Sequence, residues 1–373
     1  GRATIIRAVL EGRITSPGGP LLSDELERAI SNCLSCRACA GECPSNVNLP
    51  LLKAELLHAR HRRHGVPLAA RVFSRVDLLG ELCGLAPGAA NALQRWRPAR
   101  LAAERLLGIS AERPLPEFAA ERFDRWFRAR ATTADRAPRG EVLLWDDCFV
   151  RHYEPGIGRA AVRVLEAAGF APRLIQGHAC CGRPAFSMGR LDVARRFGER
   201  NLAALRGSAA PVLFLEPSCF SMFREDYREL GVAGAEETAA RCVLFEEFVD
   251  RLLAESPDAL AFSGAPARAA VHVHCHAKAV SDPAVILRAA GRVPGAAASL
   301  LDSGCCGMAG AFGAMKDKYA LSVKVAEPLV RMINALPADT ALIVSGTSCR
   351  QQVTHRTDRK PLHCAEWLAG RLA

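Results

Sequence analysis

The spacing of hydrophobic residues changes partway along the chain. Residues 21 to 64 have apolar positions at helical intervals, with a helix start at Ser23 and a second helix from Leu51 to His64. Residues 68 to 127 keep that spacing, with many arginines between the apolar positions and breaks at prolines. We therefore predict helices throughout this front part, the second stretch being a connector with a basic solvated face.

The pattern changes after a polar stretch from Ala131 to Gly140. Short apolar runs then alternate with amphipathic helices, which predicts parallel α/β units. The predicted strands lie at 142–145, 212–215, 271–273 and 342–344, and the predicted helices lie near 158–168 and 283–290.

Four cysteines in the helical front part have the spacing C-x2-C-x2-C-x3-C and are followed by proline; they are Cys33, Cys36, Cys39 and Cys43. This spacing is the ligand run of a bacterial-ferredoxin-type 4Fe-4S cluster. Structural zinc sites instead pair two C-x2-C units across a longer gap. Two assignments stay open, because the fourth cysteine of two-cluster ferredoxins ligates the other cluster. Either all four cysteines hold one cluster, or Cys43 ligates a cluster completed by residues outside this chain.

The α/β part repeats the order of its cysteines. In each half a single cysteine follows a strand, then comes Cys-Cys-Gly, and another single cysteine follows a later strand. The gaps are 31 and 29 residues in the first interval and 37 and 42 in the second. Because ligands gather at the carboxyl ends of parallel strands, each repeat should collect four cysteines at one sheet edge. The first set is Cys148, Cys180, Cys181 and Cys219, and the second set is Cys275, Cys305, Cys306 and Cys349.

Three cysteines belong neither to the N-terminal run nor to the two sets of four. Free cysteine often behaves as a small buried hydrophobe, which is our interpretation of Cys83, Cys242 and Cys364. The two sets favour metal or thiol chemistry. We predict cofactor binding by both sets, metal ligation by the second set and the N-terminal four, and no catalytic residue. His274 and His276 flank the first cysteine of the second set, and along a strand they would share the opposite face, which favours packing or a hydrogen bond over direct ligation.

The length of the chain and its cysteines indicate the number of domains and the cellular compartment. A chain of 373 residues suggests two or three domains. Fifteen cysteines in clustered spacing indicate metal ligands in a reducing compartment, so we expect the cytoplasm. No apolar run reaches the roughly 18 to 20 residues that span a bilayer, while peripheral association with the inner face of the membrane stays open.

The charge is concentrated in the front part. Residues 1 to 140 contain 22 Lys or Arg against 14 Asp or Glu, so +8 of the net charge of +10 lies there. Such a region attracts nucleic acid, an anionic membrane or an acidic redox partner, but no nucleic-acid recognition motif accompanies it. No flavin, nicotinamide or phosphate-binding fingerprint appears either, so hydride chemistry is expected on a partner or on another part of the protein.

These motifs together resemble a known family, the CCG cysteine-rich domains found in heterodisulfide reductases, glycolate oxidase iron-sulfur subunits and related dehydrogenases. The chain is most similar to the iron-sulfur C-terminal portion of FAD-linked D-2-hydroxy acid dehydrogenases, over nearly its whole length. The matching stretches are 33–45, 216–219, 274–276, 302–310 and 346–350.

The resemblance implies an α/β fold in which an all-helical ferredoxin-type 4Fe-4S domain precedes two repeated CCG domains. We place the helical 4Fe-4S domain at 1–66, the basic helical connector at 67–140, and the two CCG α/β domains at 141–262 and 263–373. The five-cysteine form of the CCG domain ends in C-x2-C, but Met222 and Gln352 stand at the last ligand positions here. This departure favours a four-cysteine cluster or an altered site over a noncubane cluster. Relatives usually carry another cysteine motif upstream, which we expect outside this chain.

The resemblance also implies a function. The chain would carry electrons from FAD on a partner or fused dehydrogenase domain, which oxidises D-lactate, glycolate or D-2-hydroxyglutarate, to a quinone or soluble acceptor. At least one 4Fe-4S cluster, further iron-sulfur clusters in the CCG domains and an oligomer are expected. One alternative is a thiol/disulfide reductase like heterodisulfide reductase, with the CCG-bound clusters catalytic. Another is a zinc-stabilised scaffold without a redox role.

Overall fold

The computed structural model describes residues 2–16, 19, 22–43, 47–130, 138–263 and 266–373. The fold is mixed α/β, as predicted: a helical front part packs against two repeats that contain parallel sheets. The helices of the front part are α1 (Arg2–Leu10), α2 (Asp24–Ser31), α3 (Ala38–Glu42), α4 (Leu49–His64), α5 (Leu68–Phe73), α6 (Val76–Cys83), α7 (Pro87–Arg95), α8 (Arg97–Leu107) and α9 (Phe123–Ala129).

Local sequence signals set the helix ends in the front part. The Ser23 side chain caps α2 by accepting a hydrogen bond from the Leu26 backbone N–H. Gly65 ends α4 with a φ of +84°, a conformation that favours glycine. Pro87 and Pro98 lie in the first turns of α7 and α8, where proline's missing N–H costs no hydrogen bond. The predicted helices and proline breaks are confirmed here, whereas 131–137 of the polar stretch lie outside the described residues.

The first repeat contains a parallel sheet in the order β2-β1-β3-β4. Leu144 of the central strand lies opposite Leu174 on one side and Leu213 on the other. The strands are β1 (Glu141–Trp145), β2 (Ala171–Leu174), β3 (Val212–Phe214) and β4 (Cys242–Leu244). The helices are α10 (Cys148–His152), α11 (Pro155–Ala167), α12 (Arg183–Ser187), α13 (Leu191–Leu205), α14 (Pro217–Ser221), α15 (Tyr227–Glu229), α16 (Ala235–Ala240) and α17 (Phe245–Glu255), with a π-helical turn at Met222–Asp226 and a 3-10 turn at Pro257–Ala259.

The second repeat contains a parallel sheet in the order β6-β5-β7, which matches β2-β1-β3 of the first. Leu362 adds a single parallel bridge to Ile343 of β7, at the place that β4 occupies in the first sheet. The strands are β5 (Ala267–His272), β6 (Ala296–Leu300) and β7 (Ala341–Val344), and the helices are α18 (Cys275–Val280), α19 (Val285–Gly291), α20 (Lys316–Asn334), α21 (Thr347–Arg356) and α22 (Cys364–Ala369), with a 3-10 turn at Phe312–Ala314.

The two repeats exchange helices across a shared core. Helix α11 of the first repeat packs against α22 of the second, and α19 of the second packs against α17 of the first. Trp145 and Trp367, both fully buried, belong to the same hydrophobic cluster, and the Trp367 indole N–H donates to the Ala290 carbonyl at 3.1 Å. Because this core is continuous, the two repeats form one packed unit.

Candidate functional site

The first cysteine of each set begins a helix directly after the central strand of its sheet. Cys148 begins α10 after β1, and Cys275 begins α18 after β5. The side chains of Asp147 and His274 cap these two helices. In both sheets the chain order reverses beside the central strand, and this is where open parallel sheets form a ligand crevice. The predicted gathering of cysteines at one sheet edge follows from this topology.

A glycine with positive φ follows each cysteine pair. Gly182 has a φ of +85° and Gly307 a φ of +81°. A Cβ at Gly307 would lie 2.3 Å from the carbonyl oxygen of Ser322 in α20, and one at Gly182 would lie 3.2 Å from the Ala194 Cα in α13. Glycine is therefore required so that each cysteine pair can pack against the long helix that follows it.

The four thiols of the first set form a chain of neighbours. The Cys180 thiol is within hydrogen-bonding distance of the Cys148 and Cys181 thiols, and the Cys219 thiol donates to Cys181 Sγ at 3.0 Å. The Tyr227 hydroxyl donates to the Cys181 carbonyl at 2.8 Å and fixes the backbone of the pair. The structure thus brings together all four residues predicted for this set.

Cys181 is the thiol of this set whose surroundings favour the thiolate. Burial alone would raise its pKa, but hydrogen bonds from the thiols of Cys180 and Cys219, and the backbone N–H and charge of Arg183, lower it well below its usual range. Thiolates, not thiols, are the ligands of metals and clusters. The protein therefore already favours the ligating thiolate form of one member of the set, Cys181.

The second set repeats this arrangement. The thiols are hydrogen-bonded in the order Cys275, Cys305, Cys306 and Cys349, the same order as in the first set. The hydrogen bond with Cys305, followed by burial, raises the pKa of Cys275 well above its usual range. The structure brings these four predicted residues together as well.

Both sets open into one cavity of about 240 Å³ between the repeats. Helix α14, which carries Cys219, packs against α18, which begins with Cys275, so the sets meet across the repeat interface. The connector closes the cavity with an apolar wall that includes Val72, Phe73 and Leu79. The cysteines in the cavity wall are Cys148, Cys180, Cys181, Cys219, Cys275, Cys305 and Cys306. This common cavity is not evident in the sequence.

Carboxylates form the polar side of the cavity. Glu216 Oε2 accepts a 2.7 Å hydrogen bond from the Thr347 backbone N–H of the other repeat. Burial, followed by the charge of Glu216, raises the pKa of Asp147 to about 8. Asp147 Oδ1 accepts hydrogen bonds from α10, whereas Oδ2 is buried without a hydrogen-bond partner among the described residues. A carboxyl group that is largely protonated near neutral pH therefore faces the same space as the thiols.

The N-terminal cysteine run lies against the second set. Burial raises the pKa of Cys36, and so do the nearby thiolate charges of Cys275, Cys33 and Cys39. Helix α3, within the run, contacts α18. Cys43 ends α3, and its backbone N–H donates to the Cys39 carbonyl. The run and the second CCG set are therefore adjacent.

His276 joins three parts of the molecule, a role that the sequence did not indicate. Its Nε2 lies 3.0 Å from the carbonyl oxygen of Ser35, and its Nδ1 lies 3.3 Å from Ser221 Oγ in the first repeat. β5 ends at His272, so His274 and His276 do not lie along a strand, but the predicted hydrogen-bonding role of these two histidines is confirmed. His274 Nδ1 instead caps α18 by accepting the His276 backbone N–H at 3.0 Å.

The residues at the fifth-cysteine positions have structural roles. Met222 is fully buried in the core of the first repeat. Gln352 Oε1 accepts a 2.6 Å hydrogen bond from Arg113, and Gln352 Nε2 donates to the Ser322 carbonyl at 3.2 Å. Arg113 comes from the connector, so sequence reasoning missed it. Of the three isolated cysteines, Cys242 and Cys364 are buried as predicted, whereas Cys83 is half-buried.

The donor groups match in kind those that hold an iron-sulfur cluster. Both sets consist of thiols at a sheet edge, within reach of backbone N–H groups. In the described part of the chain, no three or more His, Cys, Asp or Glu side chains are arranged to hold a metal ion. Tetrahedral ligation at about 2.3 Å separates two sulfurs on one metal ion by about 3.8 Å, so Cys181 and Cys219 must rotate apart from 3.0 Å to share a metal ion. Ligating different irons of one cluster requires a still larger separation.

Comparison with known families agrees with this arrangement. The cysteine-rich domain family, CCG, matches residues 142–224 and 269–354, and these two segments contain all eight cysteines of the two sets. The chain therefore contains the CCG domain twice, and the resemblance inferred from its motifs is confirmed.

Particular relatives include components of oxidoreductases. The chain is 27% identical over 306 residues to the C component of the anaerobic glycerol-3-phosphate dehydrogenase of Escherichia coli, covering 81% of this chain and 76% of that protein. It is 26% identical over 382 residues to D-2-hydroxyglutarate dehydrogenase of Pseudomonas putida, covering 95% of this chain but 35% of that protein. It is 29% identical over 255 residues to lactate utilization protein A of Bacillus velezensis, covering 62% of this chain and all of that protein.

These similarities support an iron-sulfur electron-transfer role in dehydrogenase systems. Separately, among the described residues no helix is both long and apolar enough to span a membrane.

Proposed function

We propose that the chain is the iron-sulfur electron-transfer part of a flavin-dependent D-2-hydroxy acid dehydrogenase. The observation that carries this proposal is the adjacency of Cys36 and Cys275, because it places the N-terminal ferredoxin-type run beside a cysteine set that opens into the shared cavity. Electrons would enter from FAD on a partner or fused domain, pass through the run and reach the CCG sets.

The N-terminal ligands in this proposal are Cys33, Cys36, Cys39 and Cys43, and the CCG ligands are the two sets of four. A bound iron-sulfur cluster supplies one-electron transfer. We also propose the division into a helical 4Fe-4S domain (1–66), a basic connector (67–140) and two CCG domains (141–262 and 263–373).

The protein supplies hydrogen bonds to the ligand sulfurs. The Ser35 backbone N–H donates to Cys33 Sγ at 3.5 Å, and the Gly307 backbone N–H donates to Cys305 Sγ at 3.4 Å. Hydrogen bonds to thiolate sulfur, together with burial, tune a cluster's reduction potential. Lys53 Nζ donates to the Cys33 carbonyl at 2.6 Å and places a positive charge near the N-terminal run.

The substrate, acceptor and setting are further parts of the proposal. The names of the relatives refer to D-2-hydroxyglutarate, lactate and glycerol 3-phosphate, which supports a hydroxy acid such as D-lactate, glycolate or D-2-hydroxyglutarate as the substrate of the partner flavoprotein. The acceptor is a quinone or a soluble carrier. We place the protein in the cytoplasm, at the inner face of the membrane, within an oligomer.

The test is anaerobic purification with iron, sulfide and zinc quantitation, followed by EPR of the dithionite-reduced protein. The variants are Cys36→Ser, Cys148→Ser and Cys305→Ser, one for each proposed site. Cys83→Ser is the matched control, since this half-buried cysteine in α6 belongs to none of the sets. We expect iron and sulfide beyond one cluster, loss of a different signal in each site variant, and no loss in the control. Zinc without sulfide, or iron unchanged in Cys148→Ser and Cys305→Ser, contradicts the proposal.

A second function follows from the shared cavity. Two cysteine sets that face one space could reduce a disulfide substrate there, with two electrons and two protons converting RS–SR to two RSH. The missing fifth cysteine in both repeats weighs against this function. Mixing the reduced protein with an aliphatic disulfide distinguishes the two: the electron relay releases no stoichiometric thiol, whereas a disulfide reductase releases two thiols per two electrons and loses this activity in Cys148→Ser.

A further inference from the structure

The connector exposes an unusual amount of apolar surface. Of the ten large hydrophobic side chains that are exposed among the described residues, nine lie between Leu68 and Leu106. Leu85 is 74% exposed, Leu106 72% and Trp96 59%. The tenth, Leu300, ends β6 in the second repeat. Exposed apolar side chains concentrated in one segment in this way indicate an interaction site.

The helices that carry this surface have almost no core of their own. Neither α7 nor α8 has a buried residue, and Gly80 is the buried residue of α6. Helices of 8 to 11 residues are marginal in water unless an apolar face is packed. These three helices therefore gain stability if another surface covers their exposed side.

The exposed residues share helix faces. Leu78 and Leu82 are four residues apart on α6, and Leu85 follows three residues later. On α8, Leu101 lies between Arg97 and Arg105, four residues from each, so apolar and cationic side chains stand on the same side. This combination is typical of helices that lie in a membrane interface.

The charge of the surface identifies its partner. Residues 68 to 107 contain six arginines and three acidic residues, a balance of +3. The acidic residues are all paired: Asp77 with Arg75, Glu81 with Arg122, and Glu104 with Lys316. Within the described parts of the chain, Arg97, Arg100 and Arg105 have no acidic partner. A second copy of this surface would bring like charges together, whereas anionic lipid head groups would neutralise them.

We infer that α6, α7 and α8, together with Leu85 and Trp96, form a docking surface for an anionic lipid membrane. The leucines enter the boundary between head groups and acyl chains, Trp96 lies at head-group level, and the free arginines contact lipid phosphates. The protein then binds the membrane peripherally through its connector.

The docking surface continues into the cavity. Leu79, exposed on α6, also lines the cavity that contains both cysteine sets, beside Val76 of the same helix. Lipid contact would therefore place the edge of the cavity at the membrane. This consequence rests on the proposed function: of the two acceptor classes proposed above, it favours a quinone dissolved in the membrane over a soluble carrier.

Vesicle flotation of the full chain tests the surface. We expect the protein to float with phosphatidylcholine–phosphatidylglycerol vesicles, to float weakly with phosphatidylcholine alone, and to be released by salt. Leu85→Asp and Leu106→Asp should each lower the partition coefficient by about tenfold, since each removes one buried leucine. Leu300→Asp is the matched control and should bind like the wild type. Trp96 fluorescence should shift to the blue on binding, and Trp96→Phe should abolish that shift.

Other outcomes overturn the inference. Failure to float with anionic vesicles contradicts it, and so does equal loss of binding in Leu85→Asp and Leu300→Asp. A dimer in sedimentation velocity that Leu85→Asp dissociates would show that a second copy covers the surface instead. Iron analysis of the same samples separates this inference from the proposed function: vesicle binding without iron sustains the lipid surface alone, and iron with normal EPR but no vesicle binding sustains only the electron-transfer role.

Discussion

Arg37 Nη1 donates a 2.7 Å hydrogen bond to Asp226 Oδ1, which joins the N-terminal cysteine run to the first CCG repeat. Both residues are buried, Arg37 being 2% exposed and Asp226 fully enclosed. Asp226 also pairs with Arg183, which follows the first Cys-Cys-Gly. Two cysteine-bearing segments therefore share the Asp226 carboxylate, and Arg37 also pairs with Glu225. The run cannot leave the repeat without separating these buried charges.

Asp226→Asn should strongly destabilise the protein. The substitution leaves Arg183 buried beside a neutral partner and leaves Arg37 with Glu225 as its remaining carboxylate. Breaking a buried ion pair costs about 3 to 5 kcal/mol. Glu199→Gln is the control, because its partner Arg195 is exposed in an i, i+4 pair worth less than about 1 kcal/mol. Urea unfolding of both variants checks the prediction, and similar midpoints for the two would refute it.

Gly307→Ala should impair the second CCG repeat far more than Gly310→Ala. Both glycines have positive φ, so both substitutions carry backbone strain of about 1 kcal/mol. Only at Gly307 would the new Cβ meet backbone, 2.3 Å from the Ser322 oxygen; at Gly310 nothing lies within 4 Å. Thermal unfolding should show a clearly larger loss for Gly307→Ala, together with a loss of iron bound by the second set. Equal losses in the two variants would mean that packing against α20 is unimportant.

Glu246→Gln should change how stability depends on pH. Burial raises the pKa of Glu246 to about 7, and the Ser345 hydroxyl donates to its carboxylate. Since this folded-state pKa exceeds the usual 4.5, the folded protein binds the proton more tightly, and stability falls as pH rises from about 4.5 through about 7. The nearby His363 has a pKa lowered to about 3 and stays neutral across this range.

Glutamine does not ionise, so the variant does not lose stability in this way as the pH rises. Relative to the wild type, Glu246→Gln should therefore gain up to about 3 kcal/mol between about pH 5 and about pH 8. Urea unfolding at the two pH values measures the difference in unfolding free energy between the variant and the wild type. Groups that titrate in both proteins cancel in this difference. Parallel stability curves for the two proteins would show that Glu246 ionises normally in the folded state.

Gln352→Cys should destabilise the protein without adding iron. The substitution restores a C-x2-C spacing with Cys349 but removes the acceptor for Arg113, so a buried charged donor loses one partner at a cost of about 2 kcal/mol. Gln351→Cys, beside it in the cavity wall, is the control. Unfolding and iron content per chain are the measurements. A stable variant with more iron, or with the EPR signal of a different cluster, would show that the fifth position can still ligate.

Much of the fold could be read from the sequence because the signals are local. Ser23, Gly65 and the prolines that start α7 and α8 act through their own backbone conformation, so neighbouring residues suffice to place the helix ends. The central strands contain short apolar runs, residues 142–145 in β1 and residues 269–271 in β5. The edge strands β2 and β6 are not predicted from the sequence, because β2 contains Pro172 and β6 consists largely of alanine, residue types that are uncommon in strands.

The order of residue types along the chain is enough to predict an N-terminal run of four cysteines with ferredoxin-type spacing and two equivalent sets of four cysteines, each set positioned by strand ends and a Cys-Cys-Gly turn. Only the tertiary structure shows that both sets share one cavity and that Cys36 lies beside Cys275. It also shows that His276 and Arg113 connect segments that are distant along the chain. The physical reason is separation along the chain. Cysteine spacing follows from the local geometry of each repeat. The shared cavity depends on the exchange of helices between repeats, which is set by packing and by ion pairs such as Arg350 with Glu154, across more than a hundred residues.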